Sequence, residues 1–307
     1  MKHYSVLKKE VIEGLNINPS GIYVDATLGY GGHSEEILKR IKKGFLFAFD
    51  QDEDAIHFSH KRLINISDKF EIIYTNFVTL PEFLNSKNIT KVDGIILDLG
   101  LSSPQIDDIN RGFTFMQDVI LDMRMDKQGE LTAEMVVNSY SLEQLIDIFF
   151  KYGEERYSKS IAKNIIKART EKEIKTSFQL VEIIKYSVPM QYFLKTHPER
   201  QIFQAIRIEV NNELEVLENT LEKAINILNS KGRICVITFH SLEDRIVKHI
   251  FRKYSEINPL VKGLPDVPDE YKPLVKLINR KPILPSEKEV KENSRSKSAK
   301  LRIIERI

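Results

Sequence analysis

Short apolar runs alternate with helix-patterned segments in the N-terminal third of the chain. The runs predict strands at residues 22–26, 45–49, 70–74 and 91–99. Between them, apolar residues recur three and four positions apart, which predicts amphipathic helices. An amphipathic lead-in of the same kind covers residues 1–20. Strands that alternate with helices imply right-handed crossovers, so we expect an α/β fold with a mostly parallel sheet.

The alternation is interrupted after the fourth predicted strand. Residues 100–125 form a loop rich in Ser, Pro, Asp and Arg, and residues 131–200 show helical periodicity alone. A loop of that length inside a compact domain usually has a function. Strand patterns return at residues 233–239 and 300–307. Together with the apolar run 274–278, the last strand is placed to form an antiparallel edge.

The pattern therefore predicts two domains. Residues 1–106 and 202–307 are expected to form the α/β domain, in which residues 202–228 give one long helix or two abutting ones. Residues 107–201 are expected to form an inserted loop and an all-helical domain of three or more helices. This insertion is the candidate substrate-recognition domain.

The composition is that of an ordinary globular protein. Of the 307 residues, 42% are hydrophobic and 29% are charged, and the net charge of +2 means that a nucleic-acid surface requires local clustering of charge. The single cysteine, Cys235, lies in an apolar run and is expected to be a buried thiol, which suits a reducing cytosol. We see no signal-peptide pattern and no apolar run of about 20 residues, so we expect a cytoplasmic protein without a membrane span.

Candidate chemistry begins at the glycine turn after the first strand. Gly29, Gly31 and Gly32 separate an apolar strand from the start of a helix, which is the local pattern of a nucleoside-cofactor site. A dinucleotide fingerprint requires Gly-x-Gly-x-x-Gly, whereas the third glycine is displaced here. A carboxylate at Asp25 would repel a pyrophosphate but would suit a cationic ligand. Asp50 ends the second strand, where it can accept hydrogen bonds from ribose hydroxyls. A plain strand-to-helix turn with a surface acid is the alternative.

A ligand that combines a ribose, an adenine and a cationic aminocarboxylate is S-adenosylmethionine. Asp98 ends the fourth strand and is expected in the same crevice, outside the carboxyl ends of the strands. Phe77 follows the third strand and is interpreted either as a ring that stacks on adenine or as an ordinary core aromatic. The residues therefore favour S-adenosylmethionine over a dinucleotide.

Longer motifs run from the glycine turn nearly to the end of the chain. They are Asp25-Ala-Thr-Leu-Gly-Tyr-Gly-Gly-His-Ser34, Leu97-Asp-Leu-Gly-Leu-Ser-Ser-Pro-Gln105, Arg111-Gly-Phe-Thr-Phe115, Leu121-Asp-Met-Arg-Met-Asp126, Tyr152-Gly-Glu-Glu-Arg156, Phe203-Gln-Ala-Ile-Arg-Ile208, Asn212-Glu-Leu214, Phe239-His-Ser-Leu-Glu-Asp-Arg245 and Ser296-Lys-Ser-Ala-Lys-Leu-Arg302. With these motifs the chain resembles the bacterial 16S ribosomal RNA cytosine-N4 methyltransferases of the RsmH or MraW type. Residues 197–201 and 292–298 depart from the family pattern. Both departures concern how RNA or the insertion is held, and neither touches the cofactor motifs.

The resemblance implies a class I S-adenosylmethionine-dependent methyltransferase fold, with a Rossmann-like sheet and an inserted all-helical domain. It implies N4-methylation of a specific cytidine in 16S rRNA, with the small ribosomal subunit as partner. It implies no metal ion and leaves the oligomeric state open. The cofactor contacts of the family fall on residues of matching type, namely Gly31, Gly32, His33, Asp50, Phe77, Asp98 and Gln105.

The turn after the fourth strand is the candidate pocket for the target base. The exocyclic amine of cytosine is a poor nucleophile. Its nitrogen must therefore be held in line with the methylsulfonium, and its N–H groups must donate hydrogen bonds to the protein. We expect Ser102, Ser103 and Pro104 to line this pocket, and a tight turn that only touches adenosine is the alternative. His240, at the end of the fifth strand, is predicted to orient the base or take its proton, and a structural histidine is the competing interpretation.

Three groups of cations are candidates for RNA contacts. Arg111 and Arg124 either close over cofactor and base or form a salt-bridged lid. Arg295, Lys297 and Lys300 lie in a C-terminal run with few acids, which favours phosphate contacts. The third group lies in the insertion, where such a run usually means a solvated helix face. Its members are Arg156, Lys159, Lys163, Lys167 and Arg169.

Three other functions share parts of this pattern. A nicotinamide-dependent oxidoreductase is disfavoured by the displaced glycine, and a titration of NAD against S-adenosylmethionine separates the two. An RNA-binding assembly factor without catalysis would show no methyl transfer to rRNA. A DNA amino-methyltransferase shares the chemistry, and only the family resemblance and a substrate test distinguish it.

Overall fold

The computed structural model describes residues 5–257, 261, 266 and 268–307. The chain divides into two compact units: a sheet unit, Met1–Gly100 with Leu214–Ile307, and a helical unit, Leu101–Glu213. The first four residues of the predicted lead-in lie outside the described part of the chain. The helical unit extends beyond the predicted insertion at both ends.

The sheet, as far as the chain is described, has seven strands in the order β3-β2-β1-β4-β5-β7-β6. They are β1 (Ile22–Asp25), β2 (Phe45–Asp50), β3 (Phe70–Tyr74), β4 (Val92–Asp98), β5 (Leu228–Thr238), β6 (Val275–Leu277) and β7 (Lys300–Arg306). Neighbours among β1 to β5 run parallel, and β7 runs antiparallel to β5 and β6. The expected α/β fold of the class I methyltransferase type is confirmed, including its antiparallel edge.

Fourteen α-helices are present among the described residues. They are α1 (Lys8–Leu15), α2 (Gly32–Leu38), α3 (Glu53–Leu63), α4 (Leu80–Ser86), α5 (Ser103–Asp107), α6 (Ala133–Ser139), α7 (Leu142–Lys151), α8 (Ser158–Glu171), α9 (Ser177–Ser187), α10 (Met190–Thr196), α11 (Pro198–Asn211), α12 (Glu213–Asn226), α13 (Ser241–Ser255) and α14 (Glu287–Glu292). The longest is α13, with 15 residues. No helix in the described ranges is both long and apolar enough to cross a membrane.

The strand β4 shows why the sheet is buried on both faces. Ile95 and Leu97 pack into one apolar cluster and Ile96 packs into the other, because successive side chains of a strand point to opposite faces. A nearly continuous apolar run is the pattern of a parallel strand that helices cover on both sides. Cys235 of β5 is buried in the same way, and burial raises the pKa of its thiol. The expectation of a buried core thiol is therefore confirmed.

The core of the helical unit includes α11, which the sequence pattern assigns to the α/β domain. Ile202, Phe203 and Ala205 of α11 are buried in that core, and α11 packs against α6, α7 and α9. An amphipathic helix does not reveal which of two cores its apolar side will join. For this reason the helical unit continues past the predicted end at residue 201.

The last residue of α11, Asn211, also forms hydrogen bonds to the loop predicted at residues 100–125. The Asn211 side chain accepts a hydrogen bond from the Met125 N–H at 2.7 Å and donates to the Met123 carbonyl at 2.8 Å. The next residue, Asn212, has a left-handed φ of 49° and ends α11. The segment predicted as one long helix or two abutting ones is therefore two helices, α11 and α12.

Candidate active site

Three carboxylates end three adjacent strands at one edge of the sheet. Asp25 of β1 is level with Ala48 of β2 and Ile96 of β4 in the parallel register. Asp50 and Asp98 therefore lie two residues further toward the carboxyl edge. Doubly wound sheets bind ligands outside the carboxyl ends of their strands, so these acids and the glycine turn beside them form the candidate site.

The glycine turn between β1 and α2 packs closely against α3. Gly29 and Gly31 have left-handed φ values of 49° and 74°, which a residue with a Cβ adopts only under strain. A Cβ on Gly31 would come within 3.1 Å of the Ser59 hydroxyl. That hydroxyl donates to the Gly29 carbonyl at 2.6 Å. A Cβ on Gly32 would overlap the Ser5 hydroxyl, so the packing of the turn itself requires glycine at 31 and 32.

Asp25 ties the turn to the first turn of α2. Its carboxylate accepts a hydrogen bond from the Ser34 hydroxyl at 2.7 Å and from the Thr27 N–H at 3.2 Å. Burial raises the pKa of Asp25 above its usual value. Thr27 in turn accepts a hydrogen bond from the Asp98 N–H at 2.6 Å through its hydroxyl oxygen. The sequence pattern predicts neither of these hydrogen bonds and gives Ser34 only as a candidate cap of the helix, although the spacing of Thr27 and Ser34 from Asp25 inside one motif is a signal for both bonds.

Asp50 connects the glycine turn to the start of α3. One carboxylate oxygen accepts from the Gly29 N–H at 2.7 Å and the other from the Asp52 N–H at 2.9 Å. Each oxygen keeps a second lone pair, so the carboxylate has the capacity to accept from ribose hydroxyls. Burial raises the pKa of Asp50 to about 6.

The raised pKa of Asp50 predicts that cofactor affinity depends on pH. Above pH 6 the carboxylate is ionised and accepts hydrogen bonds strongly; below it the group is protonated and loses acceptor capacity. We expect the affinity for S-adenosylhomocysteine, a non-reacting product, to fall about tenfold between pH 7 and pH 5. Isothermal titration calorimetry at several pH values measures it. The same decline in Asp50→Asn would contradict the assignment, because that variant does not titrate at residue 50.

His33 and Asp98 carry buried polar atoms without hydrogen-bond partners. His33, in the first turn of α2, is 5% exposed, and its Nε2 lies 3.4 Å from Asp98 Oδ2. Among the described residues, neither ring nitrogen of His33 nor the Asp98 Oδ1 has a hydrogen-bond partner. Buried groups left in this state cost about 1–3 kcal/mol each, so they point to a ligand that supplies donors and acceptors. A polar ligand at the carboxyl edge could satisfy these atoms, and the cofactor roles of His33 and Asp98 stay predictions.

Phe77 is half-buried just beyond β3. It lies in a short helical turn, Phe77–Thr79, whose start is capped by the Asn76 side chain accepting from the Val78 N–H at 3.0 Å. The ring packs against the apolar cluster on one face of the sheet and keeps part of its surface exposed. Both interpretations of Phe77, adenine stacking and core packing, are compatible with this position.

In the helical unit, the candidate pocket residues form the start of α5. The Ser102 hydroxyl accepts from the Gln105 N–H at 3.4 Å, and the Gln105 side-chain carbonyl accepts from the Ser102 N–H at 2.9 Å. This reciprocal capping box satisfies two N–H groups at the helix start. Pro104 lies in the first turn of α5, where proline is favoured because its fixed φ suits a helix. The hydroxyl of Ser102 thus serves the start of α5, and the contact of Ser103 with a base stays a prediction.

His240 occupies the corresponding capping position at the start of α13. Its Nδ1 accepts from the Glu243 N–H at 3.4 Å, and Glu243 Oε2 accepts from the Phe239 N–H at 2.7 Å. A neutral imidazole that accepts at Nδ1 carries its proton on Nε2. The Nε2 of the same ring lies 3.2 Å from Glu243 Oε1, so both ring nitrogens face Glu243, and the two interpretations of His240 stay predictions.

The two loop arginines are held by the helical unit itself. Arg111 is 5% exposed, and its guanidinium donates to the carbonyls of Arg124 at 3.1 Å and Met125 at 2.8 Å. Arg124 forms a two-bond pair with Asp122 at 2.9 and 2.7 Å. The expectation that Arg111 contacts RNA needs correction, because a buried guanidinium bonded to backbone carbonyls does not reach phosphate. A salt-bridged loop is the interpretation that fits both arginines.

The C-terminal cations differ among themselves. Arg295 and Lys297 are exposed on a short helical turn, Ser294–Ser298, as a phosphate contact requires. Lys300 begins β7 and lies 3.5 Å from an oxygen of Asp244, whose carboxylate also accepts from Arg302 at 2.7 and 3.1 Å. Arg295 and Lys297 therefore fit the predicted RNA contact better than Lys300.

A family model and a relative of known name agree on one family. The model of the MraW methylase family matches residues 1–307. Ribosomal RNA small subunit methyltransferase H from Oceanobacillus iheyensis is 51% identical over 308 residues, which cover 100% of the chain and 95% of that protein. Among solved structures, an rRNA methylase from Streptococcus thermophilus is 12% identical with a TM-score of 0.42, over 98% of the chain and 93% of that protein. TrmN from Thermus thermophilus is 10% identical with a TM-score of 0.44, over 98% and 48%.

Proposed function

The chain belongs to the MraW methylase family, and on that basis we propose that it methylates N4 of a specific cytidine in 16S rRNA with S-adenosylmethionine as donor. The observation that carries this proposal is the full-length similarity to a protein named as a small-subunit ribosomal RNA methyltransferase. The carboxyl-edge site supports it, because the acids and the buried unpartnered atoms there suit a nucleoside with a cationic end.

S-adenosylmethionine supplies a methyl carbon made electrophilic by its sulfonium. The cytosine amine gains the methyl group and loses one proton, and S-adenosylhomocysteine leaves with the electrons of the broken C–S bond. We assign Gly31, Gly32, His33, Asp50, Phe77, Asp98 and Gln105 to cofactor binding. Asp50 would hold the ribose and Phe77 the adenine. The buried polar atoms of His33 and Asp98 would be satisfied by the bound ligand.

For the target base, we propose contacts from the start of α5 and from His240. Ser103 would accept a hydrogen bond from the cytosine amine, while Ser102 and Pro104 fix the backbone that presents it. His240 would orient the base or take its proton. No covalent nucleophile is required, since the amine attacks directly. The target cytidine must be unpaired or flipped out to be reached.

The partner would be 16S rRNA, alone or within the small ribosomal subunit, and the protein would act in the cytoplasm. Arg295 and Lys297 are the cations of the C-terminal run that we assign to phosphate contacts, because they are exposed. Arg124 and Lys300, each paired with an acid, would contribute less.

Mapping of modified nucleotides in 16S rRNA tests the proposed function. We expect cells that lack this protein to lose one N4-methylcytidine, because the proposed activity is what would install it. A plasmid copy should restore the methyl group, and a copy carrying Asp98→Ala should not. Mass spectrometry of nuclease fragments measures the modification. An unchanged set of N4-methylcytidines in the deleted strain would refute the proposal.

A further inference from the structure

One face of α8 carries three exposed lysines, Lys159, Lys163 and Lys167, which we call the α8 lysine stripe. They are spaced four residues apart, so they lie on one side of the helix, about 6 Å apart along its axis. The opposite side of α8 is buried in the core of the helical unit through Ile161 and Ile165. The stripe is thus a fixed, solvent-facing feature of a packed helix.

The stripe has no counter-ions of its own. Within the described ranges, no carboxylate lies within 4.0 Å of any of the three amino groups. Some exposed cations on other helices pair with an acid four residues away, as Lys39 does with Glu35, Lys151 with Asp147 and Arg252 with Glu256. The stripe is instead a run of three aligned cations without an acid beside any of them.

The arrangement is unfavourable for an isolated helix. Two like charges four residues apart destabilise a helix by about 0.2–0.5 kcal/mol, and the stripe contains two such pairs. Lys159 also lies in the first turn of α8, which holds no acid and where the helix dipole disfavours a cation. An anionic partner along the stripe would remove both penalties.

The neighbouring arginines define the extent of the stripe. Arg169 belongs to the same run in the sequence, but its guanidinium donates to the Val137 carbonyl at 2.9 Å, and burial lowers its pKa. It is therefore part of the core and not of the stripe. Arg156, two residues before α8, is exposed and lies 5.8 Å from the Tyr157 ring centroid, so it extends the positive surface at the start of the helix.

We propose that the α8 lysine stripe binds the phosphate backbone of the substrate RNA. This inference rests on the proposed function and adds to it a surface that belongs to the helical unit. Lysine contacts to phosphate supply affinity and register but do not read sequence. The stripe would therefore hold the RNA, while other groups select the cytidine.

The test compares two triple variants in the complete protein. K159Q/K163Q/K167Q removes the stripe, and K151Q/K175Q/K185Q removes three lysines of the helical unit that are each paired with an acid. Binding to 16S rRNA transcribed in vitro, and to small subunits from a strain lacking the protein, is measured at several KCl concentrations. For the stripe variant we expect the slope of log affinity against log salt to become shallower by about 2, at about 0.7 for each phosphate that is no longer neutralised.

The stripe variant should also bind RNA at least about tenfold more weakly at low salt, with unchanged affinity for S-adenosylhomocysteine and a melting temperature at or above that of the wild type. The control variant should keep the wild-type slope. If the wild type methylates rRNA and both variants keep its slope and affinity, the stripe inference is wrong while the proposed function stands. If the wild type neither binds nor methylates rRNA, the proposed function fails and the stripe inference fails with it.

Discussion

Replacing Asp98 by alanine should weaken binding of S-adenosylmethionine about 10- to 100-fold, since hydrogen bonds to a charged group contribute about 1.5–3 kcal/mol. Its Oδ1 is buried without a partner in the described residues, and its Oδ2 lies 3.4 Å from His33 Nε2. A donor on the bound cofactor would satisfy this carboxylate. Methyl transfer at limiting cofactor should fall by the same factor. Calorimetric titration and a radiolabelled transfer assay measure the two quantities.

A matched control for Asp98 lies at the other end of β4. Asp93 accepts from the Ile22 N–H at 2.8 Å and from the Asn229 amide at 3.0 Å, so it is a carboxylate with structural partners on the same strand. Asp93→Asn should lower the melting temperature and leave cofactor affinity unchanged. Equal affinity losses in Asp93→Asn and Asp98→Ala would mean that strand damage, and not a ligand contact, explains the result.

The strands and the site acids were predictable from sequence for one physical reason. A parallel strand covered on both faces is apolar along its whole length, and a carboxylate appears only where the strand leaves the core. Asp50 and Asp98 end such runs, so their shared edge follows from the topology. The hydrogen-bond partners of these residues could not be predicted in the same way, because they come from other strands and loops. The Asp98 N–H, for example, donates to the hydroxyl of Thr27, which follows β1.

The boundaries of the helical unit and the capping roles were harder to predict. The hydrophobic periodicity of α11 shows that one side of the helix is buried, but it does not show which of the two cores buries it. The helical unit therefore extends further than the sequence predicts. Ser102 and Gln105 have the spacing of a capping box, yet the same residues match the methyltransferase motif. The same sequence motif is therefore expected whether these residues cap a helix, line a pocket or do both.

Arg111 marks the limit of inference from charge alone. An arginine in a long polar loop is expected in solvent, because burial of a guanidinium is rare without partners. Here two backbone carbonyls, of Arg124 and Met125, supply those partners. Nothing in the sequence shows which carbonyls a loop leaves without backbone donors, so the burial of Arg111 required the structure.

Arg111→Ala should therefore destabilise the helical unit by about 2–4 kcal/mol, because it leaves buried carbonyls without donors. Arg111→Lys should recover little, since both carbonyls accept from the terminal Nη2, and the lysine side chain is one atom shorter. Arg124→Ala, which removes a half-exposed pair with Asp122, should cost about 1 kcal/mol or less. Urea unfolding, monitored by hydrogen exchange of the amides in residues 101–213, measures these changes in the unfolding free energy of the helical unit. Should Arg111→Ala keep wild-type stability and instead make the salt dependence of RNA binding shallower, Arg111 would be a phosphate contact and its structural role would be wrong.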